Sequence, residues 1–275
     1  MPGPWSRNGN LQCHEAVARI NHGCFVDIHC HCLPGVDDGP QTMDESVELC
    51  RALVRDGVKT VTATPHQLGP WTTPLDGPAT RDAVAGLNSE LKARDVGIEV
   101  LSGCEIRVDI NIPELLRADR LMSMADNHEF VLLELPFDSF VDIASLIAEL
   151  SEMAIQSVIA HPERNAGIRG NPRLVRNWKD WDPTFQITAT SLAGRFGRQV
   201  ERTAWRLLDM PIKAVVATDA HNASSRFPEL SKAFDLLVRR QGPVRARDLC
   251  VDGPLELIGR AGSLKGSVPS SQMDF

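Results

Sequence analysis

No stretch of eighteen or more uncharged apolar residues occurs in this sequence, so no helix able to span a bilayer is expected. Residues 1–23 include Pro2, Pro4, Arg7, Asn8, Asn10, His14 and Glu15 and lack the apolar centre of a secretion signal. The expectation is a cytoplasmic chain without membrane insertion. CxxC pairs are absent as well. The seven cysteines (Cys13, Cys24, Cys30, Cys32, Cys50, Cys104 and Cys250) are odd in number and suggest neither a zinc-thiolate site nor a disulfide framework. Reduced, buried and inert thiols are expected. Cys30 and Cys32, which alternate with His29 and His31, are the candidates for reactivity. A basic surplus is also missing: 29 Lys and Arg face 36 Asp and Glu, a net charge of −7, which argues against nucleic acid as a partner. Neither GxGxxG nor GxxxxGK(S/T) follows a strand-like run, so no nucleotide cradle is expected.

What is present is a chain of 275 residues and 43% hydrophobic content, long enough to bury one full core. Apolar, β-branched runs alternate with amphipathic stretches. Strands are expected at 25–29, 59–64, 98–101, 130–135, 157–160, 185–190 and 213–218. Helices are expected at 42–56, 79–95, 140–154, 172–181, 196–209 and 228–239. Thr42 and Glu45 have capping-box spacing at the start of the first helix, and Gly57 ends it. Seven strand-then-helix units point to an α/β fold with a parallel sheet. A TIM-like barrel with its active site at the C-terminal rim of the strands is the preferred architecture, and an open doubly wound sheet is the alternative. Residues 1–24 read as an extension, 25–261 as the domain, and 262–275, rich in Ser, Gly and Pro, as a mobile tail.

The polar residues fall where the strands end. The first strand runs into Asp27-Ile28-His29-Cys30-His31, and in an extended chain residues two apart point the same way, so His29 and His31 make a natural ligand pair. Asp37-Asp38-Gly39 follows. Later strands end at His66, at Glu105, at Glu134, at His161-Pro162-Glu163-Arg164 and at Asp219-Ala220-His221. Taken singly, His161 suits a surface histidine, Glu134 a carboxylate paired with an arginine, and Asp219 a helix cap. Gathered at one rim, these groups would each cost several kcal/mol if buried without partners. Divalent cations relieve that cost. Imidazole and carboxylate without thiolate suit Zn, Mn or Fe rather than Ca, and the number of candidate ligands calls for two or three ions. Arg164 and Arg226, in loops above the same rim, have the chemistry to hold a phosphoryl group.

The run from Asp27 through His29, His31, Leu33-Pro34-Gly35 and Asp37-Asp38-Gly39 resembles the opening of bacterial tyrosine phosphatases of the polymerase-and-histidinol-phosphatase (PHP) superfamily, the capsule and exopolysaccharide type. Five further runs match in order: Ala63-Thr64-Pro65-His66, Gly103-Cys104-Glu105-Ile106-Arg107, Leu133-Glu134-Leu135-Pro136, Ala160-His161-Pro162-Glu163-Arg164-Asn165 and Thr218-Asp219-Ala220-His221-Asn222. The resemblance implies a distorted seven-stranded barrel with up to three divalent ions, most often manganese, with Fe, Zn, Co or Mg as alternatives. It implies that His29, His31, Glu105 and Asp219 hold one ion, with Glu105 bridging to a second. His66, Glu134, His161 and His221 complete the cluster, and Asp38 is a further ligand. A metal-bound hydroxide would attack phosphorus while Arg164 and Arg226 hold the phosphate, with no phosphocysteine formed. The implied substrate is phosphotyrosine on a protein, the tail of a membrane-bound tyrosine kinase that governs polysaccharide export.

The sequence departs from that pattern at Cys30 and Cys32, where Ser and an aliphatic residue are usual, and at Gln67, where a second His is common. Trp71 stands in a loop that usually carries Tyr, and this chain has no Tyr at all. These differences bear on substrate preference and leave the ligand types intact. Two other readings compete. One is a small-molecule phosphatase of the histidinol-phosphate type, and the other is a non-catalytic module that binds metal or a phosphorylated partner.

Overall fold

Six consecutive buried residues, Phe25–Cys30, form the first strand (β1), as expected for a strand covered on both faces. The computed structural model describes residues 24–70 and 75–260. All of the expected N-terminal extension but Cys24, the tail from 262 and Trp71 lie outside the described residues. Two parallel sheets carry the fold. In one, β1 pairs with β2 (Val58–Ala63), which pairs with β4 (Glu99–Ser102). The other runs in the order β3 (His66–Gln67), β5 (Glu105–Arg107), β6 (Phe130–Glu134), β7 (Gln156–Ala160), β8 (Thr184–Thr188) and β9 (Lys213–Ala217). Between and after the strands lie α1 (Met43–Arg55), α2 (Gly77–Ala93), α3 (Ile112–Arg117), α4 (Ala144–Glu152), α5 (Ala166–Gly170), α6 (Ala189–Leu192), α7 (Arg198–Leu208), α8 (Leu230–Gln241), α9 (Pro243–Arg247) and α10 (Gly253–Leu257).

The expected seven strands therefore appear as nine segments, because the second and third are each split near the rim. Pro65 has no N–H to give to a ladder and separates β2 from β3. Gly103 separates β4 from β5, and a Cβ there would lie 2.7 Å from Thr62 Cγ2, so only glycine lets the two strand ends approach. Among the described residues no continuous ladder closes the two sheets into a barrel. A single bridge, Cys30 to Ala220, joins the exit of β1 to the residues after β9. It is supported by His31 N–H donating to Ala220 O (2.9 Å) and Asp219 N–H to His29 O (2.8 Å).

Local signals account for most boundaries. Thr42 accepts from Glu45 N–H at 3.3 Å, as the capping spacing predicts, but Glu45 Oε2 takes the Gln41 N–H (2.7 Å) rather than that of Thr42. The second helix begins before the expected residue 79 because Asp76 caps it, accepting from Ala79 N–H. The fourth begins only at Ala144, whose N–H is held by Asp142. Residues 172–181 are helical but form tighter 3₁₀ turns. The strand expected at 185–190 stops at Thr188, and α6 takes over at Ala189. Apolar side chains such as Leu132, Ile159, Ile187 and Val216 fill the interior, each contributing roughly 1.5–3 kcal/mol by burial. No helix among the described residues is long and apolar enough to cross a membrane.

Candidate metal centre

The parallel strands end side by side, so residues distant in sequence converge on one rim. His29 stands in β1 and His31 just beyond it, two residues apart on the same side. Their Nε2 atoms lie 3.3 Å from one another. Glu105 opens β5, and its carboxylate is the hub. Its Oε1 lies 2.8 Å from His161 Nε2, and its Oε2 lies 3.3 Å from His29 Nε2, 3.4 Å from His31 Nε2 and 3.1 Å from His66 Nδ1. Asp219, just past β9, brings Oδ1 within 3.5 Å of both His29 and His31. Asp38 reaches in from the loop after β1, 3.0 Å from His221 Nε2 and 3.4 Å from His66 Nε2. Glu134, at the end of β6, is more peripheral: Arg107 Nε lies 3.2 Å away, and the carboxylate groups with those of His66 and Glu105. Every residue named above as a candidate ligand or phosphate binder comes to this rim.

Two of them lie where φ is positive. His161 (φ 29°), directly after β7, and Asp219 (φ 51°), two residues after β9, adopt left-handed conformations, a strain of about 1–2 kcal/mol each, where the chain turns at the rim. Gly39 permits the Asp37–Asp38 loop to lie against β1, since a Cβ there would meet His31 O at 2.4 Å.

A ring of supporting groups fixes the imidazoles. Asp37 Oδ2 accepts from His31 Nδ1 (2.7 Å) and also from His66 N–H (3.1 Å). Gln186 Oε1 accepts from His29 Nδ1 (2.9 Å) and from His161 N–H (3.1 Å). His221 Nδ1 donates to Asp219 O (3.0 Å). With Nδ1–H engaged in this way, Nε2 of His29, His31 and His221 presents its lone pair to the centre, the arrangement of ligand histidines. Asp27, buried beneath, accepts from Thr218 N–H and Oγ1–H and so anchors the start of the Asp219 turn. Asp37, Gln186 and Asp27 had no role assigned from sequence. Gln186 carried a usable signal, a polar residue inside the buried strand β8. Asp37 sits beside Asp38, and nothing in the spacing says which of the two faces the centre.

Electrostatics points the same way. Burial pushes the Glu105 carboxyl up, yet His29 and His161 pull it well below the ordinary carboxylate range. Burial likewise raises Asp219, and Arg164 and His29 overcome it, leaving Asp219 well below that range. Burial lowers His31 and His66, but Asp37 brings the first up to about 9, and Asp38 with Glu105 brings the second up to about 11. Burial, reinforced by Arg164 and His31 respectively, takes His161 and His221 down to about 4. The carboxylates thus demand positive charge at the centre, and protons on imidazole are one source of it. Divalent cations are the other, and ligation takes up the deprotonated form. Two buried atoms make the case directly: Glu105 Oε2 and His221 Nε2 lie near several polar groups yet have no hydrogen-bond partner. Four overlapping groups of ligand atoms fit an ion: His29/His31/Asp219, His29/Glu105/His161, His66/Glu105/Glu134 and His31/Asp38/His66/His221.

The two arginines reach this centre. Arg164 Nη1 contacts Asp219 Oδ2, and Arg226 donates to Asp219 Oδ2 (3.1 Å) and to Asp38 Oδ2 (3.2 Å). Asn222 shapes the loop that carries Arg226, its Oδ1 accepting from the N–H groups of Ser224, Ser225 and Arg226. The thiols take no part. Cys30 and Cys32 are buried free thiols, and burial pushes Cys30 up to about 11 while a hydrogen bond with Cys30 holds Cys32 well above its ordinary value. The reactivity considered for this pair is therefore corrected: both side chains face the core.

Residues 25–259 match the family described as capsular polysaccharide synthesis, CpsB/CapC. The tyrosine-protein phosphatase YwqE of Bacillus subtilis is 38% identical over 219 residues, 79% of this chain and 85% of that protein. The tyrosine-protein phosphatase CpsB of Streptococcus pneumoniae is 29% identical, covering 85% of this chain and 98% of that protein. Among solved structures, one from work on YwqE and CpsB, described as unique metal-dependent tyrosine phosphatases, superposes with a TM-score of 0.81 at 36% identity, covering 86% of this chain and 95% of the other. The lactonase Lmo2620 of Listeria monocytogenes shares the fold alone, with a TM-score of 0.58 at 10% identity.

Proposed function

The chain belongs to the CpsB/CapC family of capsular polysaccharide synthesis proteins, and from that premise we propose that it is a metal-dependent phosphatase that releases phosphate from phosphotyrosine on a protein. The observation that carries this reading is the hub at Glu105. A buried carboxylate meets four imidazoles, beside an aspartate held by two arginines.

His29, His31, Asp38, His66, Glu105, Glu134, His161, Asp219 and His221 are the residues that would hold two or three divalent ions. Glu105 fits a bridging role because its two oxygens face different histidines. The donor set of imidazole and carboxylate suits zinc, manganese or iron, and the family resemblance selects manganese among them, with iron, zinc, cobalt or magnesium as substitutes. Such ions, when bound, lower the pKa of water and clamp phosphoryl oxygens. Arg164 and Arg226 converge from opposite loops on Asp219, so their guanidinium groups are in place to bind phosphate oxygens and to stabilise charge as it develops. A tyrosine phenolate, with a pKa of about 10, departs without a strong acid beside it. A cysteine route is disfavoured: burial holds Cys104 up at about 12 and Cys250 above the usual thiol range.

The wider assignments rest on the same premise. The substrate is a phosphotyrosine protein of the polysaccharide machinery, a membrane-bound tyrosine kinase. With no tyrosine in its sequence, the chain offers no site of its own to such a kinase. The free thiols suit a reducing, cytoplasmic location. Residues 25–261 form one domain, and the split strands support a distorted seven-stave barrel in which β2 continues as β3 and β4 as β5. Phosphate release from a phosphotyrosyl peptide and from histidinol phosphate, each with manganese and with chelator, tests the function. Release from the peptide alone, with manganese alone, is expected. Release from neither with manganese present would overturn it.

A further inference from the structure

We propose that Phe137 and Phe196 form an aromatic clasp that recognises the aryl group of the phosphate ester. This inference deepens the tyrosine-phosphatase reading and rests on it. The large exposed hydrophobic side chains among the described residues are Ile110, Phe137, Val141, Phe196 and Val244. The two that carry rings, 42% and 40% exposed, come from different loops yet meet at one side chain. The Arg164 guanidinium lies 5.2 Å from the Phe137 ring and 4.9 Å from the Phe196 ring. A single exposed phenylalanine needs no explanation. Two exposed rings flanking the guanidinium that touches Asp219 mark the mouth of the site.

Both rings are held in position. Asn165 Nδ2 donates to Pro136 O (2.5 Å) and Ser139 O (2.7 Å), and Ala166 N–H donates to Phe137 O (2.8 Å), which pins the turn that carries Phe137. The Phe137 ring lies nearly parallel to that of His161, with centroids 5.7 Å apart and an interplanar angle of 15°. On the other side, Arg195 N–H donates to Thr190 O (3.1 Å) and Gly197 N–H to Gly194 O (3.0 Å), which close the turn around Phe196. The clasp is thus formed before substrate arrives, and little ordering is left to do on binding.

The geometry dictates the ligand class. A phosphoryl group held by Arg164 carries its ester substituent one oxygen away from phosphorus, at the level of the two rings. A phenol ring there gains offset or edge contacts of the kind aromatic pairs favour at centroid separations of about 4.5–7 Å. An alkyl ester of serine or threonine has no ring to offer. If the phenyl groups served only to pack Arg164, their removal would weaken every phosphate ligand alike.

Binding of benzylphosphonate, in which a methylene replaces the ester oxygen, of methylphosphonate and of inorganic phosphate to the manganese-loaded protein, measured by titration calorimetry, separates these cases. The wild-type protein should bind benzylphosphonate about ten-fold more tightly than methylphosphonate. Phe137→Ala and Phe196→Ala should each lower that ratio about three-fold and together bring it to about one, with phosphate affinity held within about two-fold. Phe196→Trp, which keeps a ring, should retain the preference. Equal affinity for the two phosphonates in the wild type, an unchanged ratio in the variants, or a parallel loss for phosphate would each overturn the clasp. Phosphate release from a phosphotyrosyl peptide is measured on the same samples. Release without aryl preference sinks the clasp alone, and aryl preference without release sinks the phosphatase reading alone.

Discussion

Around Arg81 and around Glu105, charged side chains crowd to similar distances but at different depths. Arg81 donates to both oxygens of Asp119 (2.7 and 2.8 Å) and both of Asp126 (2.7 and 2.9 Å), with all three side chains between 29% and 48% exposed. Each acceptor oxygen there has a donor, and solvent screens what remains. At the rim, Glu105 and His221 are buried, and each keeps an atom without a hydrogen-bond partner although opposite charges lie within reach. The surface cluster closes on itself. The rim leaves buried ligand-type atoms unpaired, which supports the cation site proposed there. Partial satisfaction in a place that could have been filled with apolar side chains is the physical mark of a site.

The sharpest way to break this contrast is to remove the cations or one of the proposed ligands. A chelator, or Asp219→Ala, should lower phosphate release from a phosphotyrosyl peptide by at least about 10²–10³-fold in a steady-state assay. Activity surviving either treatment would mean the rim needs no ion. Stability should respond as well. Manganese at about a hundred times its dissociation constant should add about 2.7 kcal/mol, raising the melting temperature of the metal-free protein by roughly 5–10 °C in calorimetry. No shift at saturating metal would equate the two clusters.

Smaller effects sharpen the comparison. Asp37→Asn keeps the shape beside His31 but removes the charge that orients it, so metal affinity should fall about 10–100-fold, read by competition with a chromophoric chelator. An unchanged affinity would demote Asp37 to a loop contact through His66 N–H. At the surface, Arg81→Ala should cost about 1 kcal/mol or less and leave phosphate release unaltered, because the fork it breaks is half exposed. A large loss of activity there would show that the surface cluster is coupled to the rim.

Much of this was legible in the sequence because strand-end position and residue chemistry coincide. A histidine or carboxylate closing an apolar run stands where parallel strands end, and all of the residues picked out this way met at one rim. The supporting ring was less legible. Asp37 and Gln186 act through hydrogen bonds to His31 and His29 across 6 and 157 positions, and no local periodicity encodes such a pairing. Phe137 and Phe196 gave no signal for the same reason, since each is an ordinary apolar residue until the fold sets it against Arg164.

Residue order alone determined the alternation of strand and helix, through apolar patterning and capping chemistry that act over a few residues. It also determined which side chains could ligate a metal, since that is a property of imidazole and carboxylate groups. Tertiary structure alone decided which nitrogen of each histidine faces the centre, which aspartate of the Asp37–Asp38 pair supports and which reaches inward, and that Cys30 and Cys32 turn into the core. Those outcomes depend on contacts between strands remote in sequence, where burial strips away water and every polar atom must find a protein partner or an ion.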